Sequence, residues 1–114
     1  MKLLICGSRG FEVKHEDISN VLAKFDWTTL EIIEGCCKNS ADEVAENWAS
    51  ENKIEVYHYP AKAGSHLKRN IQMVDRCDAV LAFWDGYSYG TAHTIAQAIL
   101  KGKKVIIKER GRVR

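Results

Sequence analysis

Asp78-Ala-Val-Leu-Ala-Phe-Trp-Asp-Gly-Tyr-Ser-Tyr-Gly-Thr-Ala-His-Thr-Ile-Ala-Gln-Ala-Ile-Leu-Lys-Gly102 is the stretch on which the fold turns. Ala79 to Trp84 is an uninterrupted apolar run of strand length, the pattern of a strand buried on both faces of a parallel sheet. From Ala92 the apolar residues recur at 92, 95, 96, 99 and 100, which predicts a helix with one buried face. Gly102 stands where a left-handed residue ends such a helix. Between strand and helix lies Asp85-Gly-Tyr-Ser-Tyr-Gly-Thr91. Gly86 and Gly90 let backbone approach an anion, the helix start offers unpaired N–H groups and partial positive charge, and Thr91 adds a hydroxyl. The same residues also suit a plain strand-to-helix turn, so this loop alone leaves both uses open.

The flanking sequence repeats the pattern. Lys2 to Cys6 reads as a buried strand, and Gly7-Ser8-Arg9-Gly10-Phe11 is a second glycine-containing loop placed directly after a strand. A helix with Ile18, Val21, Leu22 and Phe25 on one face follows, broken by Asp26 to Thr29. Leu30 to Ile33 is the second strand, ending at Glu34-Gly35. Ser40 with Glu43 predicts a capping box for a helix whose Ala41, Val44, Ala45, Trp48 and Ala49 share a face. Ile54 to Tyr59 is the third strand, stopped by Pro60. The next helix carries Leu67, Ile71 and Val74 inward, and Lys104 to Lys108 is the fifth strand.

Strictly alternating strands and helices predict one α/β domain over residues 1–114, a Rossmann-like three-layer fold with a five-stranded parallel sheet in order 3-2-1-4-5. In that order the chain reverses between strands one and four, and the crevice at their carboxyl ends is where ligands of such sheets bind. The loops at Gly7 to Phe11 and Asp85 to Thr91 then face one cleft. A site is expected there because both loops converge on it.

Composition narrows the classes. With 114 residues and 46% hydrophobic content the chain has enough apolar surface for a core of its own. A formal charge of +2 is too mild to call for nucleic acid or a membrane surface, and the C-terminal Lys103, Lys104, Lys108, Arg110, Arg112 and Arg114 read as a solvated basic tail. No signal peptide and no membrane span are expected, which predicts a cytoplasmic protein. Cys6, Cys36, Cys37 and Cys77 lack zinc-type spacing, so reduced thiols and no metal are expected, and His15, His58 and His66 read as ordinary histidines.

The motifs also carry a resemblance. Gly7-Ser-Arg-Gly10, Gly35 followed by Ala41-Asp42, Arg69-Asn70 with Met73, and Asp85-Gly86-Tyr87-Ser88-Tyr89-Gly90-Thr91 together resemble the YspA/YpsA-related branch of the SLOG superfamily over nearly the full chain. That superfamily is Rossmann-like and includes the DNA-processing protein A and the "lonely guy" phosphoribohydrolases. The resemblance implies a nucleotide or nucleotide-derived ligand, its phosphate at Gly90-Thr91 and further contacts from the first loop. It also implies, by analogy with relatives, a homodimer or higher homo-oligomer.

Two positions depart from the family's pattern. Ser40 follows Cys36-Cys37-Lys38 where the family often has a glycine, and Thr94 stands where the phosphoribohydrolases carry a glutamate. A hydroxyl neither attacks nor stabilises an oxocarbenium-like centre as a carboxylate does, so binding without turnover is expected. The alternative is a hydrolase or glycosyl transferase, phosphoribohydrolase-like or deoxyribosyltransferase-like, using Asp85, Glu34 or Asp42. Single-stranded nucleic acid is a third, weaker fit, because the modest charge supplies few phosphate contacts. The expected ligand contacts are Gly7, Ser8, Arg9, Gly10, Trp84, Asp85, Gly86, Ser88, Gly90 and Thr91, with Arg69 and Asn70 at the rim. Trp84, Tyr87 and Tyr89 can stack a base, and Asp85 and His93 are the candidates for proton transfer. No cofactor is expected.

Overall fold

The computed structural model describes residues 1–24, 29–37 and 40–109. Its elements run β1 (Lys2–Gly7), α1 (His15–Leu22), β2 (Glu31–Glu34), α2 (Ala41–Glu51), β3 (Glu55–His58), α3 (His66–Arg76), β4 (Ala79–Trp84), α4 (Tyr89–Leu100) and β5 (Lys104–Glu109). The five strands form one all-parallel sheet in the order β3-β2-β1-β4-β5, as the alternation predicts. Among the described residues no helix is long and apolar enough to cross a membrane.

Strand periodicity divides the interior into two cores. Leu3, Ile5, Leu81 and Phe83 face α1 and α2, where Ile18, Val21, Ala45, Trp48 and Ala49 close over them. The alternate residues Leu4, Cys6, Val80 and Ala82 face α3 and α4, meeting Met73, Val74, Ile95 and Ala98. Burial on both faces explains why β1 and β4 read as unbroken apolar runs. Edge strand β5 differs, with Ile107 exposed.

Two helical faces and one cap depart from the expected ones. In α3 the buried residues are Arg69, Asn70, Met73 and Val74, while Leu67 is exposed. In α4 they are Thr91, Thr94, Ile95 and Ala98, while Ile99 and Leu100 are exposed. Both inward stripes begin with polar residues because their first turns line a cleft, and an apolar-only periodicity drifts around the helix. In α2, Ser40 caps the helix, but its hydroxyl accepts from Asp42 N at 3.2 Å rather than from the Glu43 amide of a capping box. Helix α4 starts at Tyr89, capped at Ser88, so Thr91 lies in its first turn and not at its entry. Phe25, assigned to the face of α1, lies outside the described residues.

Gly7 ends β1 under tight packing. A Cβ there would stand 2.8 Å from the Ala41 Cβ and 2.9 Å from the Phe83 carbonyl oxygen, so its small size seats α2 and β4 against the strand. Gly7→Ala is expected to cost about 1–3 kcal/mol by overpacking. A lower urea midpoint at unchanged m-value checks this.

Candidate ligand-binding cleft

The carboxyl ends of β1 and β4 open into a cleft of about 290 Å³, near the lower end for small-ligand pockets. The first loop contributes Gly7, Ser8 and Arg9, and the α4 turn contributes Ser88, Gly90 and Thr91. Arg69 and Asn70 of α3 and Asp42 of α2 form its sides. A second groove of about 570 Å³, extending over Gly35, Cys36, Pro60 and Ala61, shares Arg9, Cys37, His66 and Arg69 with the cleft.

The two glycine-containing loops are tied together. Ser8 is buried, donates its N–H to Phe83 O at 2.9 Å, and its hydroxyl accepts from Asp85 N at 3.1 Å. The Asp85 carboxylate in turn accepts from the N–H groups of Ser88 and Tyr87, both at 2.8 Å, and from the Ser88 hydroxyl at 3.0 Å. These donors, that of Ser88 N–H first, hold its pKa down to about 2. Asp85 is therefore an ionised brace of the loop and a poor proton donor. Trp84 supports the same turn, its indole N–H donating to Ser88 O at 3.1 Å, which holds the ring as a strut. Gly86, at φ +87°, supplies the left-handed turn residue. Trp84, Asp85, Gly86 and Gly10 thus shape the loops without lining the cleft.

The first turn of α4 is open toward the cleft. Its first described intrahelical bond runs from Ala92 N to Ser88 O at 3.1 Å, leaving the earlier N–H groups of Tyr89, Gly90 and Thr91 outside the helical ladder. Thr94 Oγ1 and Asn70 Nδ2 both donate to Gly90 O, at 3.1 and 3.3 Å. That carbonyl anchors the turn from behind, and Thr94 is thereby a structural hydroxyl. His93 lies partly buried against Tyr89, their ring centroids 6.4 Å apart. Its Nδ1 is buried without a hydrogen-bond partner among the described residues.

Arg69 is not at the rim. It is buried, with Nη1 donating to Gly35 O at 2.5 Å and Tyr59 O at 2.9 Å and Nε donating to Asn70 Oδ1 at 3.1 Å. Helix α3 thus clamps the ends of β2 and β3. Gly35 makes the approach possible, because a Cβ there would lie 2.5 Å from Arg69 Nη1 and 3.0 Å from Asp42 Oδ2. Arg9 differs: it is exposed and has no ion pair among the described residues.

The three alternative carboxylates separate clearly. Asp85 is spent on its loop. Glu34 is fully buried beyond the cleft, its Oε2 accepting from Cys36 N and its Oε1 facing His58 and the Cys36 thiol. Asp42 alone lines the cleft, 5% exposed, accepting from Cys37 N at 3.2 Å. Burial pushes its pKa up to about 6, and the Glu34 charge adds to this against the opposing Cys37 bonds and Arg69 charge. Asp42, Cys37, His66 and Met73 are cleft residues absent from the expected contacts. For Asp42 a signal existed: an acid in the first turn of a helix that starts beyond the carboxyl end of a central strand faces the crevice.

His58 is not an isolated histidine. Together with Glu34 and Cys36 it forms a cluster of three donor atoms, all within 4.8 Å of one another. No family model and no curated protein matches the chain.

Proposed function

We propose that the cleft binds a nucleotide or nucleotide-derived ligand without turning it over, as a sensor or sequestering module of the YspA/YpsA-related type within the SLOG superfamily. The observation that carries this is the pairing of an open helix start at Gly90-Thr91 with the exposed Arg9 guanidinium on one small cleft. A phosphate there takes backbone N–H donors, the helix dipole and a bidentate cation at once. The cleft suits a phosphate and sugar, and the adjoining groove gives the rest of the ligand room. Exposed Ile99, Leu100 and Ile107 on α4 and β5 favour a homo-oligomer, to be sized by light scattering.

Isothermal titration with a panel of nucleoside monophosphates and cyclic or NAD-derived nucleotides, with products analysed afterwards, tests the proposal. Arg9→Ala is expected to weaken a phosphorylated ligand about ten- to a hundredfold, the worth of one charge-assisted contact. Gly90→Val is the partner test. A Cβ at Gly90 meets nothing within 4 Å, so the fold should survive while the added methyls obstruct the anion and binding is lost. Absence of binding by the whole panel would overturn the proposal.

One observation favours turnover as a second function. Asp42 is a cleft carboxyl with a raised pKa, the property of a general acid. Release of free base from a nucleoside monophosphate by the native protein, abolished in Asp42→Asn, would select it.

A further inference from the structure

The clefts and side-chain clusters outside the α4 turn include one that the nucleotide reading does not use. Glu34 and His58 are the last residues of β2 and β3 and are directly paired across the parallel ladder. Cys36 follows two residues after Glu34 with φ +62°, a left-handed conformation that a residue other than glycine takes only at a cost. Oε1 of Glu34 lies 2.5 Å from His58 Nδ1 and 3.4 Å from Cys36 Sγ, and Sγ lies 3.8 Å from the same Nδ1. Oε2 is held separately by Cys36 N at 2.5 Å, which fixes the carboxylate with Oε1 toward the other two donors.

A cysteine, histidine and glutamate side by side suggest a nucleophile relay, but this geometry does not make one. Such a relay uses one ring nitrogen toward the thiol and the other toward the carboxylate. Here both face Nδ1, so the ring cannot pass a proton between them. Three different donors converging on one point is instead the arrangement of a metal cradle.

We propose that Glu34 Oε1, Cys36 Sγ and His58 Nδ1 bind a divalent ion of the zinc class, with the fourth position open to the groove beside Pro60 and Ala61. Tetrahedral bonds of roughly 2.0–2.3 Å place donors about 3.3–3.6 Å apart. The 3.4 Å separation of Sγ from Oε1 already matches this, and the 3.8 Å separation of Sγ from Nδ1 must close by a few tenths of an ångström. The Oε1 to Nδ1 separation must open by less than about 1 Å, exchanging a hydrogen bond for coordination, and His58, with 46% of its side chain exposed, is free to yield. Magnesium and calcium are excluded by the donor set, because both require oxygen ligands throughout. The thiolate and imidazole select zinc, cobalt or a similar ion.

Cobalt(II) titration of the metal-stripped full chain tests the site, since a cobalt–thiolate bond gives a near-ultraviolet charge-transfer band and four-coordinate cobalt gives intense visible bands. Both are expected to saturate at one equivalent and to be displaced by zinc. Cys36→Ser should abolish the charge-transfer band. His58→Gln should weaken binding by more than the roughly 10–100-fold that follows loss of outer-shell partners. Cys37→Ser should leave both signals unchanged. Cys36 and His58 are exposed, so these variants are expected to fold, and zinc should raise the melting temperature of the native chain but not of Cys36→Ser. A missing charge-transfer band at saturating cobalt, or a band that survives Cys36→Ser, overturns the proposal. Nucleotide binding is read independently by titration of the metal-stripped protein, so failure of one proposal is distinguishable from failure of the other.

Discussion

Arg69→Ala is expected to destabilise the protein by about 3–6 kcal/mol, the sum of two charge-assisted hydrogen bonds at roughly 1.5–3 kcal/mol each. The guanidinium is buried, and its Nη1 is the donor that the structure gives to both Gly35 O and Tyr59 O. Truncation leaves these carbonyls facing a space that an alanine methyl cannot fill. It also frees Asn70, whose Oδ1 is fixed by Arg69 Nε and whose amide reaches Gly90 O, so the loss extends to the α4 turn. Lysine should restore less than half, because one ammonium cannot reproduce a planar fork with donors on three partners. Urea unfolding of the two variants checks the magnitude. Equal midpoints for Arg69→Ala and the native chain would show that the clamp adds nothing.

Asp42→Asn should act in the opposite direction. The carboxyl has a folded pKa of about 6 against 3.8 when free, so between about pH 4 and 6 the folded state holds the extra proton. Stability therefore falls as pH rises through that window, and the full penalty stands above it. At ~1.36 kcal/mol per pH unit the rise amounts to about 3 kcal/mol at most. Asparagine keeps the shape, and its carbonyl oxygen can still accept from Cys37 N. The variant should gain up to about 3 kcal/mol at pH 8, gain nothing near pH 4, and lose the slope between. Urea midpoints at the two pH values measure it, and a variant with the native pH profile would contradict the assignment.

The layer order and the position of the cleft were legible in the sequence because both follow from chain-wide patterns. Alternating strand and helix signals dictate the parallel sheet, and glycine-containing loops after β1 and β4 mark the reversal. The inward side chains of the cleft were not legible in the same way. Arg69, Asn70, Thr91 and Thr94 occupy buried positions of α3 and α4 with polar groups, so a search for apolar periodicity passes over them. The roles within the loop were likewise hidden. Asp85 and Gly86 look like ligand contacts as residue types, yet one is consumed by hydrogen bonds to its own turn and the other provides a backbone angle. Glu34 and His58 are 24 residues apart and meet only through the β2–β3 register, a contact that no local spacing rule detects.

β1 and β4 lend alternate side chains to both cores, and this makes the molecule hard to dismantle in parts. If α1 and α2 loosen, Leu3, Ile5, Leu81 and Phe83 lose their cover, and the strands carrying Leu4, Cys6, Val80 and Ala82 lose their stiffness with them. Unfolding should consequently proceed as one cooperative event, with local opening confined to the exposed β5 edge and the loop tips. The cleft sits on the seam between the layers, taking Asp42 from one and Arg69, Asn70 and Thr91 from the other. Its shape is thus a property of the assembled whole, held until the sheet itself gives way.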